Sequence, residues 1–160
     1  MIQAAIVTVS DSAVAGTRED RSGPALRERM EALGWSVGAT ELVPDEADQI
    51  ASMLRRIADS GAVSVILTTG GTGVALRDVT PEATRSVIDR EVPGLGELMR
   101  SEGRKSTPKA VLSRAIAGTR GRILIVNLPG SPKGAVESFD AIASLVPHIV
   151  DLLEGRTAHN

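Results

Sequence analysis

Four short apolar runs, separated by stretches of helical periodicity, constrain the fold of this chain most strongly. A run with almost no polar residues is typical of a strand that is covered on both faces of a sheet. Strands that alternate with helices predict βαβ units, and therefore an α/β fold in which a mostly parallel sheet carries helices on both faces. The runs are IQAAIVTV at 2–9, the weaker SVGATELV at 36–43, VSVILT at 63–68 and ILIVN at 123–127.

Helical stripes of apolar residues lie between these runs. Pro147 interrupts the last stripe and should kink or split that helix. The single tryptophan and the single phenylalanine, Trp35 and Phe139, are predicted to lie in the core. The stretch 101–119 shows no clean period and yields no assignment. The stripes cover 26–33, 50–57, 83–88 and 139–153, and PGLGELMR from Pro93 predicts one more short helix.

Length and composition predict one globular domain over residues 1–160, because 42% of the chain is apolar and the net charge is only −2. No apolar run reaches the roughly 18 residues of a membrane span, and the first residues lack a basic leader, so we expect a cytoplasmic protein without a membrane partner. The absence of cysteine excludes disulfides and thiolate chemistry. Few aromatic residues and balanced charge disfavour nucleic acid as a partner.

Polar clusters follow each predicted strand. Ligands of parallel sheets bind beyond the carboxyl ends of the strands, where the connecting loops gather. The sequence therefore predicts a ligand site along one edge of the sheet. The clusters are Ser10-Asp11-Ser12, Pro44-Asp45-Glu46, the loop that begins at Gly70, and the segment from Asn127 to Ser131.

The loop TTGGTGVALRDVTPEA, at 68–83, has two interpretations. Its glycines, GGTG at 70–73, could form a tight turn that requires positive φ, or their backbone N–H groups could form an anion-binding concavity. They match neither the dinucleotide fingerprint nor a P-loop. Later in the loop, Thr80 followed by Pro81 predicts the N-cap and the first residue of a helix.

Asp45 and Asp78 are the candidate metal ligands. Asp45 precedes a helical stripe and could also be its N-cap, since aspartate is favoured at that position. Asp78 has no obvious local structural role, although it could pair with Arg77 or Arg114. Two carboxylates on adjacent loops would offer Mg²⁺ the oxygen ligands it prefers, with phosphates and water completing its shell.

The segment LPGSPKG predicts a helix start with Ser131 as N-cap, Pro132 in the first turn and Lys133 beside it. Such a helix N-terminus can receive a phosphate, or it can be an ordinary capped helix. The histidines, His148 in the last helix and His159 near the end, are not expected at the ligand edge. The lack of a base there disfavours hydrolases and favours phosphoryl or nucleotidyl transfer to a substrate phosphate, which is already ionised.

Six ordered blocks between residues 8 and 134 resemble the molybdopterin adenylyltransferases, the family of MogA/MoaB-type proteins and the G domain of gephyrin. Six blocks in this order are far more specific than the glycines alone. The blocks are TVSDS with DRSGP, VPDE, GGTG followed by RDVTPEAT, PGLGELMR, LSRA, and NLPGSPKG.

The resemblance implies that the protein converts molybdopterin and ATP into adenylylated molybdopterin and pyrophosphate with Mg²⁺. It also implies a three-layer α/β/α fold with a mostly parallel, mixed central sheet, and a homotrimer. Because nothing resembles the molybdate-inserting domain of some relatives, that step implies a partner protein.

The same resemblance implies roles for individual residues. Asp45 and Asp78 would be the catalytic acids that hold the metal, and GGTG would be the substrate-binding turn, which favours the anion-binding interpretation. The residues implied to bind substrate or nucleotide are Ser10, Asp11, Ser12, Asp20, Ser22, Gly70, Gly71, Thr72, Gly73, Asn127, Pro129, Gly130 and Ser131.

Two other functions compete with this one. A family member could bind the pterin as a scaffold and perform no chemistry, and intact motifs discriminate only weakly against that. A nucleotide-dependent oxidoreductase on the same sheet architecture is disfavoured, because the dinucleotide fingerprint is absent.

Overall fold

A computed structural model describes residues 1–156, which contain six strands and seven α-helices. The strands are β1 (Gln3–Val9), β2 (Ser36–Val43), β3 (Val65–Thr69), β4 (Arg90–Glu91), β5 (Ala117–Arg120) and β6 (Ile123–Leu128). The helices are α1 (Asp11–Ala15), α2 (Ser22–Ala32), α3 (Ala47–Asp59), α4 (Thr80–Arg85), α5 (Pro93–Gly103), α6 (Pro132–Ile142) and α7 (Val146–Leu153). Short 3₁₀ helices cover Pro108–Leu112 and Ala143–Leu145.

The strands form one sheet in the order β2-β1-β3-β6-β5-β4. The first four are parallel, whereas β5 runs antiparallel to both β6 and β4. Thr69 is in register with both Thr8 and Leu128, so the loops that follow β1, β3 and β6 begin at the same level. The predicted mixed sheet is confirmed, and its carboxyl edge brings those loops together.

Two apolar clusters cover the two faces of the sheet, which makes the fold a three-layer α/β/α arrangement. Alternate residues of a strand point to opposite faces. Accordingly Ile6 packs with α2, α5, α6 and α7, while its neighbours Ala5 and Val7 pack with α3 and α4. Helices on both faces explain why the central parallel strands β1, β3 and β6 are buried along almost their whole length, whereas the edge strand β2 is only partly buried.

The predictions for the two aromatic residues and for the interruption of the last helix at Pro147 are confirmed. Trp35 and Phe139 are buried, and their rings meet edge to face with centroids 5.1 Å apart. The predicted stripe at 139–153 is split into α6, a 3₁₀ turn and α7, with Pro147 in the first turn of α7. Proline is tolerated there because those N–H groups have no partner within the helix.

The unassigned stretch 101–119 contains the end of α5, the first 3₁₀ helix and the start of β5. Its period could not be read because a 3₁₀ helix lacks the 3.6-residue repeat. No helix in the described residues is long and apolar enough to cross a membrane.

Candidate active site

A cleft with two connected compartments lies at the carboxyl edge of the sheet. The polar compartment, about 550 Å³, is lined mainly by the segment that follows β1, including Ser10 and Asp20, with Asp45 contributed by the β2 loop. The apolar compartment, about 400 Å³, is lined mainly by α5, the 3₁₀ helix Pro108–Leu112 and α6, and its lining includes Met99 and Leu112. Four residues line both compartments and define the junction: Gly71, Asp78, Gly130 and Ser131.

The diglycine turn after β3 requires glycine for its backbone and for its close contacts. Gly70 and Gly71 have φ of 102° and 69°, in the left-handed region that other residues rarely adopt. A Cβ on Gly71 would lie 2.3 Å from the Thr80 hydroxyl and 3.1 Å from Oδ1 of Asp45. The turn therefore leaves a hollow beside the Asp45 carboxylate that any side chain would fill.

The turn carries backbone N–H groups that make no hydrogen bond to the described residues, and the residues that carry them line the cleft. All its carbonyl groups accept hydrogen bonds: those of Gly70 and Gly71 from Thr80, and those of Thr72 and Gly73 from Arg114. Within residues 1–156, the N–H groups of 71–73 donate none. Because consecutive free N–H groups form a concavity for anions, the geometry favours the anion-binding interpretation over the simple turn.

The predicted N-cap role of Thr80 is wrong. Thr80 is the first residue of α4, and its hydroxyl donates to the carbonyl of Gly70 at 2.9 Å, while its N–H donates to the carbonyl of Gly71 at 3.1 Å. The physical reason is that the buried carbonyl of the diglycine turn needs a donor. Thr80 therefore stabilises the diglycine turn through two hydrogen bonds and does not cap the N-terminus of α4.

Asp45 is not a helix cap either. Glu46 occupies the N-cap of α3 and makes no side-chain cap bond. Instead, Oδ2 of Asp45 accepts the N–H of Asp11 at 2.9 Å, and Oδ1 of Asp11 accepts the N–H of Asp45 at 2.9 Å. This reciprocal pair fastens the β1 and β2 loops together and leaves Oδ1 of Asp45 without a hydrogen bond among the described residues.

Burial raises the pKa of Asp45, and the carboxylates of Asp11 and Asp78 raise it further. The N–H of Asp11 and the charge of Arg77 act in the opposite direction. The influence of Asp78 on this pKa, together with their common place in the polar compartment, puts the two predicted acids in one cleft. A site that gathers like charges favours a cation.

Arg77 ties three loops together. From the β3 loop, its guanidinium donates to both carboxylate oxygens of Asp11, at 2.6 and 3.2 Å, and to Glu46 at 2.9 Å. These bonds lower the pKa of Asp11 and raise that of Arg77. Because Asp11 also holds Asp45, Arg77 helps to orient the Asp45 carboxylate.

Asp78 makes no ion pair with either candidate arginine. Its Oδ2 accepts the N–H of Ala75 at 3.1 Å, and its Oδ1 accepts no hydrogen bond among residues 1–156. Arg77 is engaged with Asp11, and Arg114 pairs with Glu82 at 2.7 Å while donating to the backbone carbonyl of Asp78. The Asp78 carboxylate therefore has no ion-pair partner in the described part of the chain, and its Oδ1 remains available at the junction.

The polar residues that follow β1 make hydrogen bonds within their own segment and also line the polar compartment. Ser10 caps α1 by accepting the N–H of Ala13, and its hydroxyl lies 3.1 Å from that of Ser12. Asp20 accepts from the hydroxyls of Thr8 and Ser22 and from the N–H of Gly23. Ser10, Asp11, Ser12, Asp20 and Ser22 all line this compartment.

The β6 loop divides into cleft residues and one buried residue. Ser131 caps α6 as predicted, by accepting the N–H of Gly134 at 3.1 Å, and Pro129 and Gly130 line the cleft beside it. Asn127 lines neither compartment. Its amide donates to Thr68 and Thr84 and accepts from the N–H of Ile116, so its side chain holds β6 in place beneath the cleft.

Sequence reasoning missed most of the apolar compartment. The walls that it missed come from the PGLGELMR and LSRA blocks, from the unassigned stretch between these two blocks, and from α6. The pair Thr107–Pro108 could have predicted the start of the 3₁₀ helix in that stretch. A hydroxyl residue followed by proline is a helix-start signal, as Ser131–Pro132 is for α6. The missed wall residues include Gly96, Met99, Arg100, Lys109, Leu112, Ser113, Ala115 and Glu137.

The cleft contains no histidine from the described residues. His148 lies on α7 and lines neither compartment, while His159 lies outside the described residues. Residues 1–156 also contain no group of three or more His, Cys, Asp or Glu side chains placed to hold a metal ion.

We expect Asp45→Asn to stabilise the ligand-free protein slightly at pH 7, by less than about 1 kcal/mol because the carboxylate stays partly solvated. The native pKa is raised above the unfolded value of 3.8, so ionisation of Asp45 destabilises the native state. That cost is absent below the unfolded pKa and complete above the native pKa. The gain should therefore shrink as the pH falls towards 3.8. Denaturant unfolding at several pH values measures it.

Asp48→Asn is the matched control, because Asp48 is an exposed acid in the first turn of α3. A negative charge in the first turn is stabilised by the positive end of the helix dipole. Removal of the Asp48 charge should therefore be neutral or slightly destabilising. A lower unfolding free energy for Asp45→Asn than for the wild type at pH 7 would contradict the assignment.

The fold and the cleft define an α/β/α protein with a candidate ligand site where the loops after four strands meet. Residues 5–148 match the family described as a probable molybdopterin binding domain. The chain belongs to this family, and the resemblance to molybdopterin adenylyltransferases inferred from the motifs is confirmed.

Known relatives match nearly the whole chain. It is 43% identical over 157 residues to the molybdopterin adenylyltransferase of Helicobacter pylori strain J99, covering 97% of this chain and 89% of the relative. It is 39% identical to the molybdopterin adenylyltransferase of Escherichia coli K12, covering 94% and 84%. The crystal structure of the molybdopterin biosynthesis enzyme MoaB from Thermus thermophilus superposes with a TM-score of 0.91 at 53% identity, covering 97% and 98%.

Proposed function

We propose that this protein transfers AMP from ATP to molybdopterin, with release of pyrophosphate, during molybdenum cofactor biosynthesis. The observation that carries the proposal is the presence, in one cleft, of two acids with an unpaired carboxylate oxygen and a turn with free N–H groups. That combination suits a substrate made of phosphates and a divalent cation. The activity named for the relatives agrees with it.

The reaction needs no base from the protein. A phosphate oxygen of molybdopterin attacks the α-phosphorus of ATP, the new P–O bond forms, and the bond to the β-phosphate oxygen breaks so that pyrophosphate leaves with its electron pair. The attacking phosphate is ionised at neutral pH, so catalysis reduces to alignment and charge neutralisation. This agrees with the absence of histidine from the cleft residues described above.

The residues present fit Mg²⁺. Oδ1 of Asp45 and Oδ1 of Asp78 accept no hydrogen bond among the described residues, and Mg²⁺ is commonly bound by one or two carboxylates together with substrate phosphates. When bound, the ion would neutralise charge on the reacting phosphates. Asp45 and Asp78 would hold it, with Asp45 oriented through Asp11.

The two compartments suggest how the substrates divide the cleft. The polar compartment, with the hydroxyls of Ser10, Ser12 and Ser22, suits the nucleotide. The apolar compartment suits a flat pterin ring, because Met99 and Leu112 contribute to its walls. The junction would then receive the reacting phosphates, beside the free N–H groups of Gly71 and Thr72.

An assay with α-labelled ATP, molybdopterin and Mg²⁺ tests the proposal. We expect labelled AMP-molybdopterin and an equal amount of pyrophosphate, and no product once the metal is chelated. An inert mixture with folded protein would reject the reaction. If calorimetry then showed that molybdopterin still binds, the protein would be a non-catalytic pterin scaffold.

The assembly and the cellular setting are part of the same proposal. Membership of the family supports a homotrimer, a cytoplasmic location and transfer of the product to a separate molybdate-inserting protein. Sedimentation equilibrium tests the first of these, since a monomer at micromolar concentration would exclude a stable trimer.

A further inference from the structure

The apolar compartment contains one carboxylate beyond the junction. Among the described lining residues, Glu137 on α6 is the only acid apart from Asp78. The other polar side chains of the described wall are hydroxyls and the cations of Arg100 and Lys109. Glu137 is therefore the one described side chain in this wall, apart from Asp78 at the junction, that can accept two hydrogen bonds side by side from a ligand.

Glu137 is held in place and still has accepting capacity. The hydroxyl of Ser106 donates to its Oε1 at 3.0 Å, and Lys133 lies 3.8 Å from the same oxygen. Oε2 accepts no hydrogen bond among the described residues, and the side chain is 34% exposed. Arg100 does not pair with it, because its guanidinium donates to the carbonyls of Ala115 and Ser113.

A pterin ring has the edge that such a carboxylate recognises. Its 2-amino group and its N3–H are adjacent donors, so they can meet the two oxygens of one carboxylate as a guanidinium does. Adenine presents a donor next to an acceptor on its pairing edge, so it cannot make both bonds. An acid in this wall therefore selects for the pterin and against the adenine of the second substrate.

We propose that Glu137 is the residue that recognises the 2-amino and N3–H edge of the pterin ring. The inference rests on the proposed function, which assigns the pterin to the apolar compartment. Ser106 acts through Glu137 by orienting its carboxylate.

The test compares 6-methylpterin with 6-methyllumazine, which carries an oxygen in place of the 2-amino group. Without ATP, the wild-type protein should bind the pterin more tightly. Glu137→Gln replaces one acceptor with a donor, so it should weaken pterin binding by roughly tenfold to a hundredfold and remove or invert the preference. Calorimetry or ligand fluorescence measures both affinities. In the adenylylation assay, KM for molybdopterin should rise while KM for ATP stays unchanged.

Glu102→Gln is the matched control, because Glu102 is a partly exposed acid at the end of α5 that pairs with Lys105 outside the cleft lining. It should keep the wild-type preference. An equal affinity of the wild type for both rings, or an unaltered preference in Glu137→Gln, would overturn the inference. Because the binding measurement needs no turnover, ring selection by Glu137 in a protein that transfers no AMP would reject the proposed function and keep the inference.

Discussion

Asp78→Asn is expected to lower kcat for AMP transfer by at least about a hundredfold and to leave the fold intact. The oxygen that accepts the N–H of Ala75 has a counterpart in asparagine, so the local bond can persist. What is lost is the negative charge on the free Oδ1 at the junction, where we place the metal and the reacting phosphates. Initial rates at saturating substrates, with circular dichroism of the same samples, measure both effects.

Asp89→Asn provides a matched comparison for this variant. The Asp89 carboxylate also accepts one backbone N–H, from Gly121 at 2.7 Å, but it lies outside the cleft lining. We expect Asp89→Asn to retain the wild-type rate. Wild-type turnover by Asp78→Asn would show that Asp78 does not hold the metal, and an equal loss in both variants would point to a general effect of the substitution.

The fold could be predicted from the sequence to the extent that it depends on local pattern. The buried strands were found because a strand covered on both faces needs apolar residues throughout. The 3₁₀ helix at 108–112 and the small-residue strand β5 carry no comparable signal, so both elements were missed, and with the 3₁₀ helix a wall of the apolar compartment. The resemblance implied a mixed sheet, but neither β5 nor its antiparallel pairing with β4 and β6 was predicted.

The candidate site was predicted as a set of residues but not as a set of contacts. Val9 is in register with Val43, which brings the loops after β1 and β2 to the same level. That register lets Asp11 and Asp45 exchange hydrogen bonds across 34 positions of sequence. A cap prediction for Asp45 considers only its neighbours in the chain, so it could not anticipate a partner supplied by sheet pairing.

Gly70→Ala is expected to cause the largest loss of stability, about 2–5 kcal/mol. The new Cβ would lie 2.3 Å from the carbonyl oxygen of Val9, and that oxygen belongs to β1, which is paired on both sides and cannot move aside. This overpacking adds about 1–3 kcal/mol to the roughly 1–2 kcal/mol that a left-handed alanine costs. Denaturant unfolding at one fixed protein concentration measures the loss, because association would otherwise shift the midpoint.

Gly61→Ala separates the two costs. Gly61 has φ of 75°, yet a Cβ there would meet nothing within 4 Å, so only the backbone cost of about 1–2 kcal/mol applies. Equal destabilisation by the two alanines would mean that the contact with Val9 adds nothing. Below the unfolding range of both variants, Gly61→Ala should keep its activity, whereas Gly70→Ala should lose it, since a displaced turn no longer presents the N–H groups of 71–73 to the phosphates.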